Sequence, residues 1–234
     1  MRRARPLVAA IIGTALTALF TSVSASAQSS DDDLRVYAVG VSRGGPFIWP
    51  YSGYGIYLGE SAIITAAHVV GRWSIFANPT ITIAGLKIEA KVIKKGSFPQ
   101  LDLAQLSIEQ ASLPVSLRLR RNPLCKDPPY IGTNVVVVSP EKTERSRITS
   151  PLEIAPEYRS FFSTLISERH VSGSGVFDAE KKCLLGIVSA AITRNTPVRA
   201  PPTPPSIRTT SEGEVGYFVP AYTIAGFLPE RFRF

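Results

Sequence analysis

The feature that most limits what this chain can fold into is the spacing of its turn formers. From Gly44-Gly45-Pro46 onward, glycine, proline and asparagine recur about every ten residues, at Pro50, Gly53, Gly59, Gly71, Asn78-Pro79, Gly85, Gly96 and Pro99. Segments that short cannot hold long helices. Between the turns the side chains alternate. Leu86, Ile88, Ala90 and Val92 interleave with Lys87, Glu89 and Lys91, and Val115, Leu117 and Leu119 interleave with Ser116, Arg118 and Arg120. A period of two turns one face of a strand inward, so both segments are expected as strands. Val135 to Val138, bounded by Gly132-Thr133-Asn134 and Ser139-Pro140, is a β-branched run expected to be buried on both sides. No sustained 3.6-residue period precedes the C-terminus, where Tyr222 to Leu228 reads as a short helix after a strand over Val215 to Val219. The fold class is all-β, with sandwich or barrel architecture.

Charge and proline interrupt the strand pattern over Arg120 to Pro129 (RRNPLCKDPP), which divides the chain into modules over 28–120 and 121–234. Pro197 to Pro205 (PVRAPPTPP) is too proline-dense for a central strand and reads as a stiff exposed loop. The polar start Gln28 to Asp33 (QSSDDD) is expected to be unstructured. With 44% apolar residues, the 234-residue chain has ample material for a core, and global disorder is excluded.

The first 27 residues have a different character. Arg2, Arg3 and Arg5 precede an apolar stretch, Leu7 to Phe20, and Ala25-Ser26-Ala27 supplies the small-x-small pattern of a cleavage site. The apolar run is shorter than the ~20 residues that span a bilayer. A cleaved secretory signal is therefore expected over residues 1–27, leaving an exported protein, periplasmic or secreted, without a stable membrane anchor. The formal charge of +8 falls to +5 when the three leader arginines leave. The remaining basic residues are scattered apart from Arg118, Arg120 and Arg121, with no aromatic-interleaved stripe, and nucleic acid is not an expected partner. In an oxidising compartment Cys125 and Cys183 are expected to pair, the alternative being two buried thiols that never meet.

His68 and His170 are the two histidines. His68 ends an apolar run, Ile63-Ile64-Thr65-Ala66-Ala67-His68, that leaves its ring at a strand tip with room for a partner. Asp102 stands in Leu101-Asp102-Leu103-Ala104, where a carboxylate needs pairing or hydrogen bonds, because stranding it in an apolar interior costs several kcal/mol; its alternative is a surface acid at a strand start. Ser172-Gly173-Ser174-Gly175 surrounds a serine with small residues that permit close backbone approach. The order His68, Asp102, Ser172, separated by 34 and 70 positions, is the His…Asp…Ser order of one of the convergent serine-hydrolase triads.

In these blocks, Gly55-Ile56-Tyr57-Leu58 with Ile64-Thr65-Ala66-Ala67-His68, Asp102-Leu103-Ala104-Gln105-Leu106, and Ser172-Gly173-Ser174-Gly175-Val176-Phe177, the chain resembles the trypsin-like serine peptidases, particularly their bacterial exported members. Gly186-Ile187-Val188-Ser189 matches the family's cleft-lining strand and Phe218-Val219-Pro220-Ala221 its closing segment. The resemblance implies two packed antiparallel β-barrels with a short C-terminal helix. The first carries His68 and Asp102; the second carries Ser172 as nucleophile of an endopeptidase, and no metal or organic cofactor takes part. Backbone N–H groups of Ser172 and His170 would form the oxyanion hole. Ser174 is the competing nucleophile, but only Ser172 is followed by the family's glycine, small residue and apolar pair in register.

His170 stands where the family usually has glycine, so the alternative function is a weak or inactive member that binds peptides in the same cleft; His170 could equally line the cleft or face solvent. Val171 replaces the aspartate that pairs with a newly cut N-terminus in the animal enzymes, so activation of that kind is not expected. Ile166 falls near the base of the primary pocket and Ser189, Ala190 and Ala191 on its wall, which carries no acid to select Lys or Arg, although Glu168 and Arg169 could enter the rim. The expected partner is a protein or peptide substrate, and the expected state a monomer.

Overall fold

The computed structural model describes residues 31–43, 53–71, 78–97, 100–149, 162–166, 172–193 and 214–232. The expected signal sequence, the proline-dense loop, His170, Val171, Glu168 and Arg169 lie outside the described residues.

Six short antiparallel strands form the first unit: β1 (Ala38–Ser42), β2 (Gly53–Gly59), β3 (Ala62–Thr65), β4 (Thr80–Ile83), β5 (Leu86–Lys95) and β6 (Ala104–Ile108). Their order, β1-β2-β3-β6-β5-β4, closes into a barrel through the β1–β4 pairing, so no edge is left unpaired. Two of its hairpins turn on residue pairs with positive φ, Glu60-Ser61 (49° and 68°) and Ala84-Gly85 (49° and 78°). That geometry matches the right-handed twist of the flanking strands. Val39, Val41, Ile63, Ile81, Ile83 and Leu106 fill the barrel with Tyr57.

The second unit is a six-stranded antiparallel sheet of β7 (Asn134–Val138), β8 (Thr143–Arg147), β9 (Phe162–Ile166), β10 (Gly175–Asp178), β11 (Leu184–Thr193) and β12 (Glu214–Pro220), in the order β8-β7-β10-β11-β12-β9. It curls until its edge strands meet, with a bridge between Ile148 and Thr164 and a hydrogen bond from Thr164 Oγ1 to the Arg147 carbonyl. Val135, Val137, Val176, Leu185 and Val188 make its core with Phe218, whose ring stacks on Phe162 at 5.9 Å. Cys125 and Cys183 are disulfide-bonded, tying the connection between the units to the start of β11.

A further buried cluster joins the two units. Ile56, Leu58, Ile64 and Leu103 from the first meet Phe177, Leu184, Ile187 and Val219 from the second. Helix α3 (Ala221–Phe227), one residue earlier than the sequence suggested, lays Ile224 and Phe227 on this seam. Lys94 of β5 reaches across to it, donating to the Phe227 carbonyl at 3.0 Å and lying 4.4 Å from the ring centroid. Apart from α3, the helices are single turns, including α1 (Ala67–Val70) and α2 (Val115–Arg118).

Two expectations are corrected. The alternation over Val115 to Leu119 is not a strand but α2 and its end. Pro114 sits at the start of the turn, where its missing N–H is harmless. Val115 and Leu119, four apart, then share an exposed face while Leu117 is buried on the other. The polar start is also ordered from Asp31. Its carboxylate is buried and receives Arg145 Nε and Lys182 Nζ, both at 2.6 Å, from the second unit. Burial pushes the Asp31 carboxyl up, but the two cations outweigh it and hold it below its ordinary value.

Candidate active site

Strand β3 delivers His68. Ala66 and Ala67 are too small to fill the seam at the strand's end, and the chain tightens there into α1, which projects the imidazole between the two units with 39% of its side chain exposed. Asp102 lies just before β6, and β6 pairs with β3 in a register that sets Thr65 opposite Ala104. Strand pairing therefore brings His68 and Asp102 together across 34 positions.

The Asp102 carboxylate is fully buried and accepts three hydrogen bonds. Oδ1 takes the backbone N–H of His68 at 3.0 Å, Oδ2 takes His68 Nδ1 at 2.7 Å, and Oδ2 also takes the Ser189 hydroxyl. Because a carboxylate only accepts, Nδ1 carries the proton and Nε2 keeps its lone pair. Burial alone would push the Asp102 carboxyl up. The bonds from His68 and Ser189 outweigh that and hold it below the usual carboxylate value, so it stays charged.

Ser172 arrives from the other unit, in the turn before β10. Its carbonyl accepts the N–H of Tyr54 on β2 at 2.9 Å, and Gly173 N–H donates to the Val188 carbonyl at 2.7 Å. Gly173 has φ of +87°, and a Cβ there would stand 1.8 Å from the Tyr54 carbonyl oxygen. Only glycine fits. The Ser172 hydroxyl, half-buried, donates to the Ser189 carbonyl at 3.2 Å. Ser174 is fully buried, and its hydroxyl has no hydrogen-bond partner among the described residues.

Ser189 thus touches both ends of the arrangement: its hydroxyl reaches Asp102 and its carbonyl receives Ser172. The sequence suggested a pocket-wall residue, whereas the side chain is 1% exposed and turned to the carboxylate. No local pattern marks this role, since the pairing spans 87 positions. Ala190 is half-buried on β11, Ala191 lies opposite Gly216, and Ile166 ends β9 opposite Glu214. Among the described residues no group of three or more His, Cys, Asp or Glu side chains is placed to hold a metal ion. Nor is any helix among them long and apolar enough to cross a membrane. A buried carboxylate, an oriented imidazole with a free lone pair and a serine across the seam form an arrangement able to move a proton off a hydroxyl.

No family model and no curated protein matches the sequence. Solved structures do match. The active form of the Rv3671c protease from M. tuberculosis is 18% identical at a TM-score of 0.56, over 97% of this chain and 91% of that one. The protease domain of MamO from Magnetospirillum magneticum is 16% identical at 0.56, over 84% and 97%. The serine endoprotease from Yersinia pestis is 18% identical at 0.56, over 85% of this chain and 63% of that one. The fold shared with these proteins is the two-barrel fold of chymotrypsin-like serine proteases, as the resemblance of the sequence implied.

Proposed function

We propose that this chain, built on the fold of the trypsin-like serine peptidases, is a serine endopeptidase with Ser172 as nucleophile, His68 as general base and acid, and Asp102 as the group that orients and charges the imidazole. The observation that carries the reading is the buried Asp102 carboxylate, bonded to both the main chain and the ring of His68. In the reaction the Ser172 hydroxyl leaves the Ser189 carbonyl and gives its proton to His68 Nε2 as Oγ attacks the scissile carbonyl. The oxyanion is received by the backbone N–H groups of Ser172 and His170. His68 returns the proton to the leaving amine, the C–N bond breaks, and an ester to Ser172 remains. Water then attacks that ester by the same route in reverse.

The stretch around Ile166, Ala190 and Ala191 has no acid, so apolar residues are the proposed preference at the cleavage site, in a protein or peptide substrate. The division into units over 28–120 and 121–234, removal of residues 1–27 on export to the periplasm or beyond, and a monomeric state belong to the same proposal. A second reading, peptide binding without efficient cleavage, is favoured by one observation: the Ser172 hydroxyl donates to the Ser189 carbonyl and makes no hydrogen bond to the imidazole.

The test is labelling of the purified mature protein with a fluorophosphonate, beside Ser172→Ala and Ser174→Ala. The endopeptidase reading expects label in the wild type and in Ser174→Ala and none in Ser172→Ala. An unlabelled wild type favours the binding module; label lost only in Ser174→Ala overturns the nucleophile. A peptide library cleaved mainly after basic residues would contradict the apolar preference.

A further inference from the structure

The single turn α1 that carries His68 is weakly built from within. Val69 N–H bonds to the Ala66 carbonyl and Gly71 N–H to the Ala67 carbonyl, and no side chain caps the start of the turn. In a helix this short, the carbonyls of His68, Val69 and Gly71 have no partner inside the turn. Each is met from outside by a cation. Arg43, the residue after β1, donates from Nη2 to the His68 carbonyl at 2.8 Å and from Nε to the Val69 carbonyl at 3.1 Å. Lys95, the last residue of β5, donates from Nζ to the Gly71 carbonyl. Gly71 has φ of +74°, and a Cβ there would lie 3.0 Å from Arg43 Nε. That glycine both reverses the chain and clears room for the guanidinium.

We propose that Arg43, assisted by Lys95, is a positioning residue for His68, an inference that rests on the endopeptidase reading above. Asp102 grips the turn at the His68 N–H and ring, on the buried side. The two cations grip it at the opposite, carbonyl end. A guanidinium suits the task because its planar fork engages adjacent carbonyls with two donors in fixed geometry, where an ammonium offers a single point of charge. With both ends held to barrel strands, the turn cannot rotate, and Nε2 keeps its reach toward Ser172. With Arg43 removed, Asp102 alone leaves the turn free to swing about the carboxylate. Displacement of a reacting group by about 1 Å can slow chemistry by up to about 100-fold. Substrate contacts are untouched, so the loss falls on kcat and not on KM.

The test compares Arg43→Gln, Arg43→Lys and Lys95→Gln with the wild type by steady-state peptide cleavage, fluorophosphonate labelling rate, thermal melting and the low-field proton resonance of the His68 Nδ1–H, assigned through its loss in Asp102→Asn. Arg43→Gln is expected to lower kcat and the labelling rate by about 10- to 100-fold with KM unchanged, and to broaden or shift the low-field resonance. Arg43→Lys, which keeps the charge and one donor, recovers part of the loss, and Lys95→Gln shows a smaller one. The inference is overturned if Arg43→Gln turns over like the wild type, if its KM rises while kcat holds, or if Arg43→Lys recovers nothing. Should Arg43→Gln fail to fold, Arg43→Lys and Lys95→Gln decide by the same readouts. A wild type with the low-field resonance but no turnover counts against the endopeptidase reading alone. Even then, an unchanged resonance in Arg43→Gln refutes the positioning role.

Discussion

Ser189→Ala separates the two functions that one residue performs at this site. The substitution deletes the hydroxyl that donates to Asp102 and leaves the carbonyl that receives Ser172. Asp102 is fully buried, so the lost bond is not replaced by water. A hydrogen bond to a charged group contributes about 1.5–3 kcal/mol, and that is the expected loss of stability at neutral pH. The pH dependence follows from the sign of the carboxyl's displacement. Asp102 is held below its ordinary value, so the stability it supplies is present above the ordinary carboxylate range and disappears as pH falls through the lowered folded value. Without the Ser189 donor that folded value moves up. The gap between wild type and variant is therefore widest at neutral pH and closes in acid, where the carboxyl is protonated in both. Urea denaturation followed by far-UV circular dichroism, at neutral pH and at successive steps down to about pH 3, measures it. A variant within about 0.5 kcal/mol of wild type at neutral pH, or a gap that stays constant into acid, would refute the assignment of Ser189 as a donor to a charged Asp102.

Two further outcomes are expected. Ser174→Ala removes a buried hydroxyl that has no partner among the described residues, so it should raise stability by about 1–2 kcal/mol, visible as a higher midpoint in thermal melting; a lower midpoint contradicts the unpartnered state. The Cys125–Cys183 bridge has a sequence separation of 58, for which chain entropy gives about 4 kcal/mol. Denaturation of the Cys125→Ala/Cys183→Ala double variant should show most of that loss, and a loss below about 1 kcal/mol would contradict the entropic account.

The parts legible in the sequence were those encoded locally. The alternation from Leu86, the valine run from Val135 and the strand-then-helix at the C-terminus all correspond to elements, because each writes its burial into a few adjacent positions. The same rule failed over Val115 to Leu119: a single helical turn is too short to display a 3.6-residue period, and apolar residues two apart imitate a strand. The N-terminal acids were read as a loose tail because Asp31 finds its partners at Arg145 and Lys182, 114 and 151 positions away. The candidate site divides the same way. His68, Asp102 and Ser172 were legible through their order and surrounding blocks. Ser189 and Arg43 were not, since what each does depends on a partner supplied by another strand or turn. Ser172 and Ser174 look alike as letters and are distinguished by burial alone.

The junction between Ser172 and Tyr54 has a consequence for how such a sequence can change. The contact is carried by main-chain atoms: Tyr54 N–H on the Ser172 carbonyl, and the Tyr54 carbonyl over Gly173. Almost any residue could stand in the place of Tyr54 without altering those atoms. The alignment of the nucleophile's turn with the strand beside His68 is thus inherited by the backbone and exposed to substitution at a single glycine. Descendants of one ancestral barrel pair can replace most of their side chains and still present a serine to a histidine at the same seam.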